Sequence, residues 1–153
     1  MKKLFVLVDC SGSFCENGKS ELQTYITDSL CNASEGIFRN IAEFSFFTWS
    51  DTVKPYIPYQ ELVFGGSSNH NALCEWLGSL ESDSTIIVFS DGLFNDDTFE
   101  IHMITEKNKL HIEVCAVGAD ANYGNLSDIA KHHTVHEPAD IMTDIAVICR
   151  KGV

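Results

Sequence analysis

The run Leu4-Phe5-Val6-Leu7-Val8-Asp9-Cys10-Ser11-Gly12-Ser13 joins five apolar residues to a carboxylate and then to a small, oxygen-bearing turn. An apolar run without alternation suits a strand covered on both faces. Two more such runs follow, Ile86 to Phe89 and Ile112 to Val117, the latter interrupted only by Glu113. Between them lie patterns of helical period. Leu22, Tyr25, Ile26 and Leu30 form one stripe; Ala72, Leu73, Trp76, Leu77 and Leu80 a second; Ile141, Ile145, Ile148 and Cys149 a third, with Pro138 placed for a first turn. Strands alternating with helices imply a parallel α/β sheet. One part departs from the alternation. Ile41 to Trp49 and Thr52 to Ile57 are separated only by Ser50 and Asp51, so these strands must be antiparallel, and Pro55 belongs on a sheet edge. The expectation is one α/β domain over residues 1–153, with a doubly wound, mostly parallel central sheet and one antiparallel edge strand. In such sheets ligands bind at the carboxyl ends of central strands.

Composition narrows what that domain does. A chain of 153 residues that is 44% hydrophobic and 21% charged, with three prolines, is an ordinary globular one. Ten Lys and Arg against 22 Asp and Glu give a net charge of −12, which argues against binding nucleic acid or an anionic membrane. The acid concentrates between residues 51 and 100, where nine acids face the single base Lys54. Most of these carboxylates suit a solvated face, and some are candidates for facing a cation. The six cysteines, at 10, 15, 31, 74, 115 and 149, form no CxxC pair, and Cys74 and Cys115 fall in apolar helix and strand patterns. Reduced thiols in a cytoplasmic protein are expected. Lys2 and Lys3 ahead of Leu4 to Val8 look like the start of a secretory signal, but Asp9 ends the apolar run too soon.

The residues that follow the strands carry the chemistry. Asp9-Cys10-Ser11-Gly12-Ser13 follows the first, Asp91-Gly92 the fourth, and Gly65-Gly66-Ser67-Ser68-Asn69 precedes the tryptophan-bearing helix. Singly, each is an ordinary turn or helix cap. Together they put two carboxylates and several hydroxyls at one sheet edge, which suits a hard divalent cation that takes about six oxygen ligands. Asp9, Ser11 and Ser13 alternate along a turn in which Gly12 lets the backbone bend, with Ser67 and Asp91 placed to complete the shell. His132, His133 and His136 also cluster, but a short strand would point them to opposite faces, so structural roles are expected. Asp96 and Asp97 suit the cap of a helix starting near Thr98.

These pieces, in this order, resemble the metal-ion-dependent adhesion site of von Willebrand factor type A domains, and the strand and helix order agrees from Leu4 to about Cys149. The compact chain is similar to stand-alone bacterial forms, some of them associated with tellurite resistance. The resemblance implies that Ser11 and Ser13 coordinate Mg²⁺ or Mn²⁺ through their hydroxyls, with Asp9 and Asp91 acting directly or through water. Ser67 stands where the family usually has threonine, and Ser68 is the alternative if the loop shifts by one residue. A partner protein then supplies the last ligand, a carboxylate, with Phe14, Ser68, Asn69 and Phe94 as a candidate contact rim. The expected protein is therefore a non-enzymatic interaction module. A phosphohydrolase of the haloacid-dehalogenase type is the alternative. It calls for a second acid where Ser11 stands and for a conveniently placed lysine, and none is expected near the motifs. A scaffold with a vestigial metal site is the third reading.

Overall fold

Strand β1 (Lys2–Asp9) is flanked on one side by β2 (Ala42–Trp49) and on the other by β4 (Thr85–Ser90), parallel to both. The computed structural model that shows this describes residues 1–94 and 98–151. Among the described residues the strands form one six-stranded sheet in the order β3-β2-β1-β4-β5-β6. Its other members are β3 (Val53–Pro55), β5 (His111–Ala116) and β6 (Val135–His136). All pairings are parallel except β2 with β3, where Phe47 stands opposite Pro55 on the free edge. Proline is tolerated there because no outer neighbour needs its missing N–H. The antiparallel run is shorter than the Thr52 to Ile57 read from sequence.

Among the described residues five α-helices cover the two faces: α1 (Lys19–Glu35), α2 (His70–Ser79), α3 (Phe99–Lys107), α4 (Tyr123–Ile129) and α5 (Ile141–Arg150). Leu4, Val6, Val8, Ile87 and Phe89 pack with Ile26 and Leu30 of α1 and with Ile141, Ile145 and Ile148 of α5. On the opposite face Leu7, Ile86, Val88, Ile112 and Val114 pack with Leu73 and Leu77 of α2, Ile101 of α3, and Leu126 and Ile129 of α4. Alternate residues of apolar strands thus feed two separate cores, which is why the strands show no polar alternation. No helix among the described residues is long and apolar enough to cross a membrane.

Two details of the helices differ from their sequence patterns. Tyr25 is exposed, and the buried face of α1 runs instead through Lys19, Gln23, Ile26, Thr27, Leu30 and Cys31. Pro138 lies in the turn ahead of α5, not in its first turn. For the site, the decisive feature is the reversal of strand order. The chain leaves β1 toward β2 and β3, then crosses back to place β4 on the other side of β1. The carboxyl ends of β1 and β4 therefore frame the crevice where such sheets bind ligands.

Candidate functional site

Asp9 is the last residue of β1, fully buried, and its Oδ1 accepts the Ser11 N–H at 2.9 Å. That bond closes a local turn of the kind Asp side chains favour. A 3-10 turn over Gly12–Cys15 then returns Ser13 toward Ser11, leaving the two hydroxyl oxygens 3.2 Å apart. The other Asp9 oxygen, Oδ2, accepts the Ser90 hydroxyl at 2.7 Å, and Ser90 Oγ accepts the Gly92 N–H. Burial is the largest influence on Asp9 and, despite these donors, pushes its carboxyl up to about 6, with the Asp91 charge adding to the rise. An anion held this far from solvent gains from a nearby cation.

The Gly65-Gly66 loop is bonded to the β1 turn through backbone alone. Gly12 N–H donates to the Gly66 carbonyl and Gly65 N–H to the Cys10 carbonyl, each at 2.9 Å. A Cβ on Gly12 would lie 3.1 Å from the Gly66 oxygen, so this glycine serves close approach. Gly66 has φ +74, and a Cβ there would come within 2.6 Å of the Asp51 carboxylate. Ser67 follows immediately. Its N–H and its hydroxyl both donate to Asp51 Oδ1, at 2.9 and 2.8 Å. These two bonds, the backbone one first, lower the Asp51 carboxyl below its ordinary value. Ser67 is therefore tethered to Asp51, and the residue before it, Gly66, is bonded to Gly12, which lies between Ser11 and Ser13.

Asp91 is also fully buried, and it is bonded to a lysine. Lys19, the first residue of α1 and itself buried, donates to Asp91 Oδ2 at 3.0 Å and to Asp120 Oδ2 at 3.1 Å. Burial alone would lower the Lys19 ammonium, but the two carboxylates outweigh it and hold it above its ordinary value. Its Nζ also lies 5.7 Å from the centre of the Phe14 ring. Asp91 Oδ1 accepts the Leu93 N–H. One turn along α1, the Gln23 side-chain amide donates to the carbonyls of Asp9 and Phe89, pinning the ends of β1 and β4 together. No sequence motif singled out Lys19, Gln23, Asp51 or Asp120. The available signal was the polar spacing 19, 23 and 27 on the inward face of α1, and an aspartate at or shortly after the end of each of β1, β2, β4 and β5.

Several expectations need correction. The expectation of no lysine near the motifs is overturned, since Lys19, shortly after Ser13 in the chain, touches Asp91. Phe14 is completely buried and stacks on Phe64, while Phe94 is buried against Trp49, so neither lies on an exposed rim. The exposed apolar side chain beside Gly92 is Leu93. Ser68 and Asn69 are half-buried, and Asn69 rather than either serine caps α2, its Oδ1 accepting the Ala72 N–H at 3.0 Å. Asp96 and Asp97 lie outside the described residues. His132 and His133 are exposed, whereas His136 is bonded to Glu113 and Asp144, each at 2.8 Å. Among the described residues no disulfide joins the cysteines, and Cys10, beside Asp9, is pushed up to about 12 chiefly by burial, so it stays a thiol.

No family model matches this sequence, and no curated protein does. Solved structures share its fold at low identity. A von Willebrand factor type A protein from Catenulispora acidiphila is 15% identical with a TM-score of 0.64, covering 98% of this chain and 42% of its own. Proximal thread matrix protein 1 from the mussel byssus, with a zinc-occupied metal-ion-dependent adhesion site, is 15% identical with a TM-score of 0.62, covering 97% and 47%. The ArnB paralog VWA2 from Sulfolobus acidocaldarius is 16% identical with a TM-score of 0.59, covering 93% and 43%. The present chain thus spans less than half the length of these neighbours and has their von Willebrand A-type fold.

Proposed function

We propose that this von Willebrand A-type domain is a metal-dependent, non-catalytic protein interaction module that engages a carboxylate of a partner protein through Mg²⁺ or Mn²⁺. The observation that carries this reading is the pair of Ser11 and Ser13 hydroxyls, 3.2 Å apart beside the buried Asp9 carboxylate. Their oxygens and those of Asp9 fit a hard cation. Ser67 donates its proton to Asp51, which leaves its oxygen lone pairs for a cation. Asp91, already bonded to Lys19 and Leu93, suits an outer position reached through water. A fold neighbour whose adhesion site holds zinc supports a metal-dependent reading in general.

When bound, the ion supplies an electrophilic site for the partner's carboxylate. The chain's own part is to leave that ion short of negative charge. Hydroxyls contribute none, and Lys19 shares the charge of Asp91, so an added carboxylate gains Coulombic stabilisation. An intracellular location is the setting we infer, supported by six cysteines without a disulfide.

Lys19 also revives the phosphohydrolase reading, because it supplies the lysine that such chemistry calls for beside Asp91. Against it, Ser11 occupies the place of the second acid, and both Asp9 oxygens already accept hydrogen bonds.

The test is thermal unfolding and partner capture after EDTA treatment, then with added Mg²⁺ or Mn²⁺. At about 100 times its dissociation constant a bound ion stabilises by about 2.7 kcal/mol, which corresponds to a Tm rise of roughly 5–10 °C for a domain this size. Asp9→Ala is expected to remove both the shift and the metal-dependent capture. Unchanged melting with metal, together with identical partners for Asp9→Ala, would leave the scaffold reading standing. Phosphate release from a generic phosphoester, abolished in Asp9→Asn, would establish the enzyme instead.

A further inference from the structure

His70 and Cys74 lie four residues apart on α2 and so share one face of that helix. Glu100, in the first turn of α3, meets them across the helix pair. His70 Nε2 is 3.1 Å from Glu100 Oε2 and 3.5 Å from Cys74 Sγ. All three potential ligand atoms fall within 4.8 Å of one another. We propose that His70, Cys74 and Glu100 form a second metal site, one for a borderline transition ion of the zinc class, which ties α2 to α3.

The spacing is the first argument. A tetrahedral zinc ion with bonds of about 2.0–2.1 Å to nitrogen and oxygen and about 2.3 Å to sulfur holds nitrogen and sulfur roughly 3.5 Å apart and nitrogen and oxygen roughly 3.3 Å apart. His70 meets both distances without rearrangement. Donor type is the second. Imidazole and thiolate select a zinc-like ion over Mg²⁺ or Ca²⁺, which prefer oxygen shells. The site therefore differs in kind from the oxygen-rich cluster at Asp9, Ser11 and Ser13. An ordinary His70 to Glu100 ion pair explains one of the contacts. The i, i+4 spacing on α2 brings the Cys74 sulfur to the same nitrogen, so that one point is shared by imidazole, thiol and carboxylate.

Burial grades across the cluster, with the Cys74 side buried and the Glu100 side chain 61% exposed. Three protein ligands leave the fourth position of a tetrahedral ion to water or to a group from a partner, as in open rather than closed zinc sites. On binding, the Cys74 thiol gives its proton to solvent and the thiolate bonds to the ion. Helix α2 begins directly after the Ser67 loop, and its cap residue Asn69 accepts the Trp49 indole N–H at 3.0 Å. An ion between α2 and α3 would thus brace one wall of the first site.

The experiment titrates chelator-treated protein with Co²⁺ and then with Zn²⁺, following absorption. The expected result is a thiolate-to-cobalt charge-transfer band with tetrahedral visible bands, saturating at one equivalent and displaced by Zn²⁺. Cys74→Ser should abolish the charge-transfer band. Glu100→Gln, an exposed change that leaves the core intact, should weaken Co²⁺ binding by at least about tenfold, the lower end of what losing even an outer-shell partner costs. Asp9→Ala should leave the band unchanged, which separates this site from the Mg²⁺ site. A titration with no thiolate band overturns the proposal, as does a band that survives Cys74→Ser. So does a band lost in Cys15→Ser, which would assign it to the exposed cysteine.

Discussion

The Lys19 ammonium sits between Asp91 and Asp120, with Asp91 wholly removed from water. Removing one partner of a buried pair strands the other charge, typically at about 3–5 kcal/mol, whereas removing both together costs less. Lys19→Met is therefore expected to destabilise by about 3–5 kcal/mol, and Lys19→Met with Asp91→Asn by clearly less. Asn retains an oxygen for the Leu93 N–H, so the double variant isolates the charge. Urea denaturation of the two singles and the double closes the cycle. If Lys19→Met alone unfolds at the parent midpoint, the buried pair contributes nothing. The same residue marks the limit of reading a site from sequence. Asp9, Ser11 and Ser13 were legible because a turn brings i, i+2 and i+4 together locally. Lys19 bonds residues 72 and 101 positions away, and only the crossover from β3 to β4 and the loop after β5 create that neighbourhood.

At the scale of elements, the long strands were legible from apolar runs and α2 and α5 from their stripes, since each buries a continuous face. Helix α4, Tyr-Gly-Asn-Leu-Ser-Asp-Ile, was not, because it buries only Leu126 and Ile129 and depends on Asn122, whose side chain accepts the Asn125 N–H as a cap. Strand β6 is just Val135–His136, too short to stand on ladder bonds alone. Its anchorage comes from His136, which bridges Glu113 of β5 and Asp144 of α5. Burial works against the charged imidazole, but the two carboxylates outweigh it, so His136 sits above its ordinary value. The charged form is thus favoured in the folded state. This contribution is fully present below the unfolded value of about 6.5 and is lost as pH rises through the higher folded value. His136→Gln should accordingly lose more stability relative to the parent at pH about 6 than at mildly alkaline pH. Urea midpoints across that range measure it, and a constant difference would show that the bridge carries no net charge.

Across the whole molecule, part of the −12 charge gathers at one edge of the sheet. Asp9, Asp51, Asp91 and Asp120 lie at or just beyond the carboxyl ends of four parallel strands, and Lys19 is bonded to the last two of them. Under the proposed function a partner brings one carboxylate to this edge, yet the surrounding field repels acids. The two demands are compatible only if the partner's acid is set in a neutral or basic surface, so that long-range attraction governs approach and the metal governs departure. The two steps then respond to different variables. Raising ionic strength from about 0.05 to about 0.5 M shrinks the screening length severalfold and should slow association by about tenfold or more, while leaving dissociation nearly constant. EDTA should instead accelerate dissociation and leave the salt dependence of association in place. Surface plasmon resonance on a captured partner reads both rates. Association that quickens with salt would mean that the partner's surface is acidic overall. The acids at this edge would then repel it throughout its approach, and the fold's charge would be a solubility device with no part in recognition.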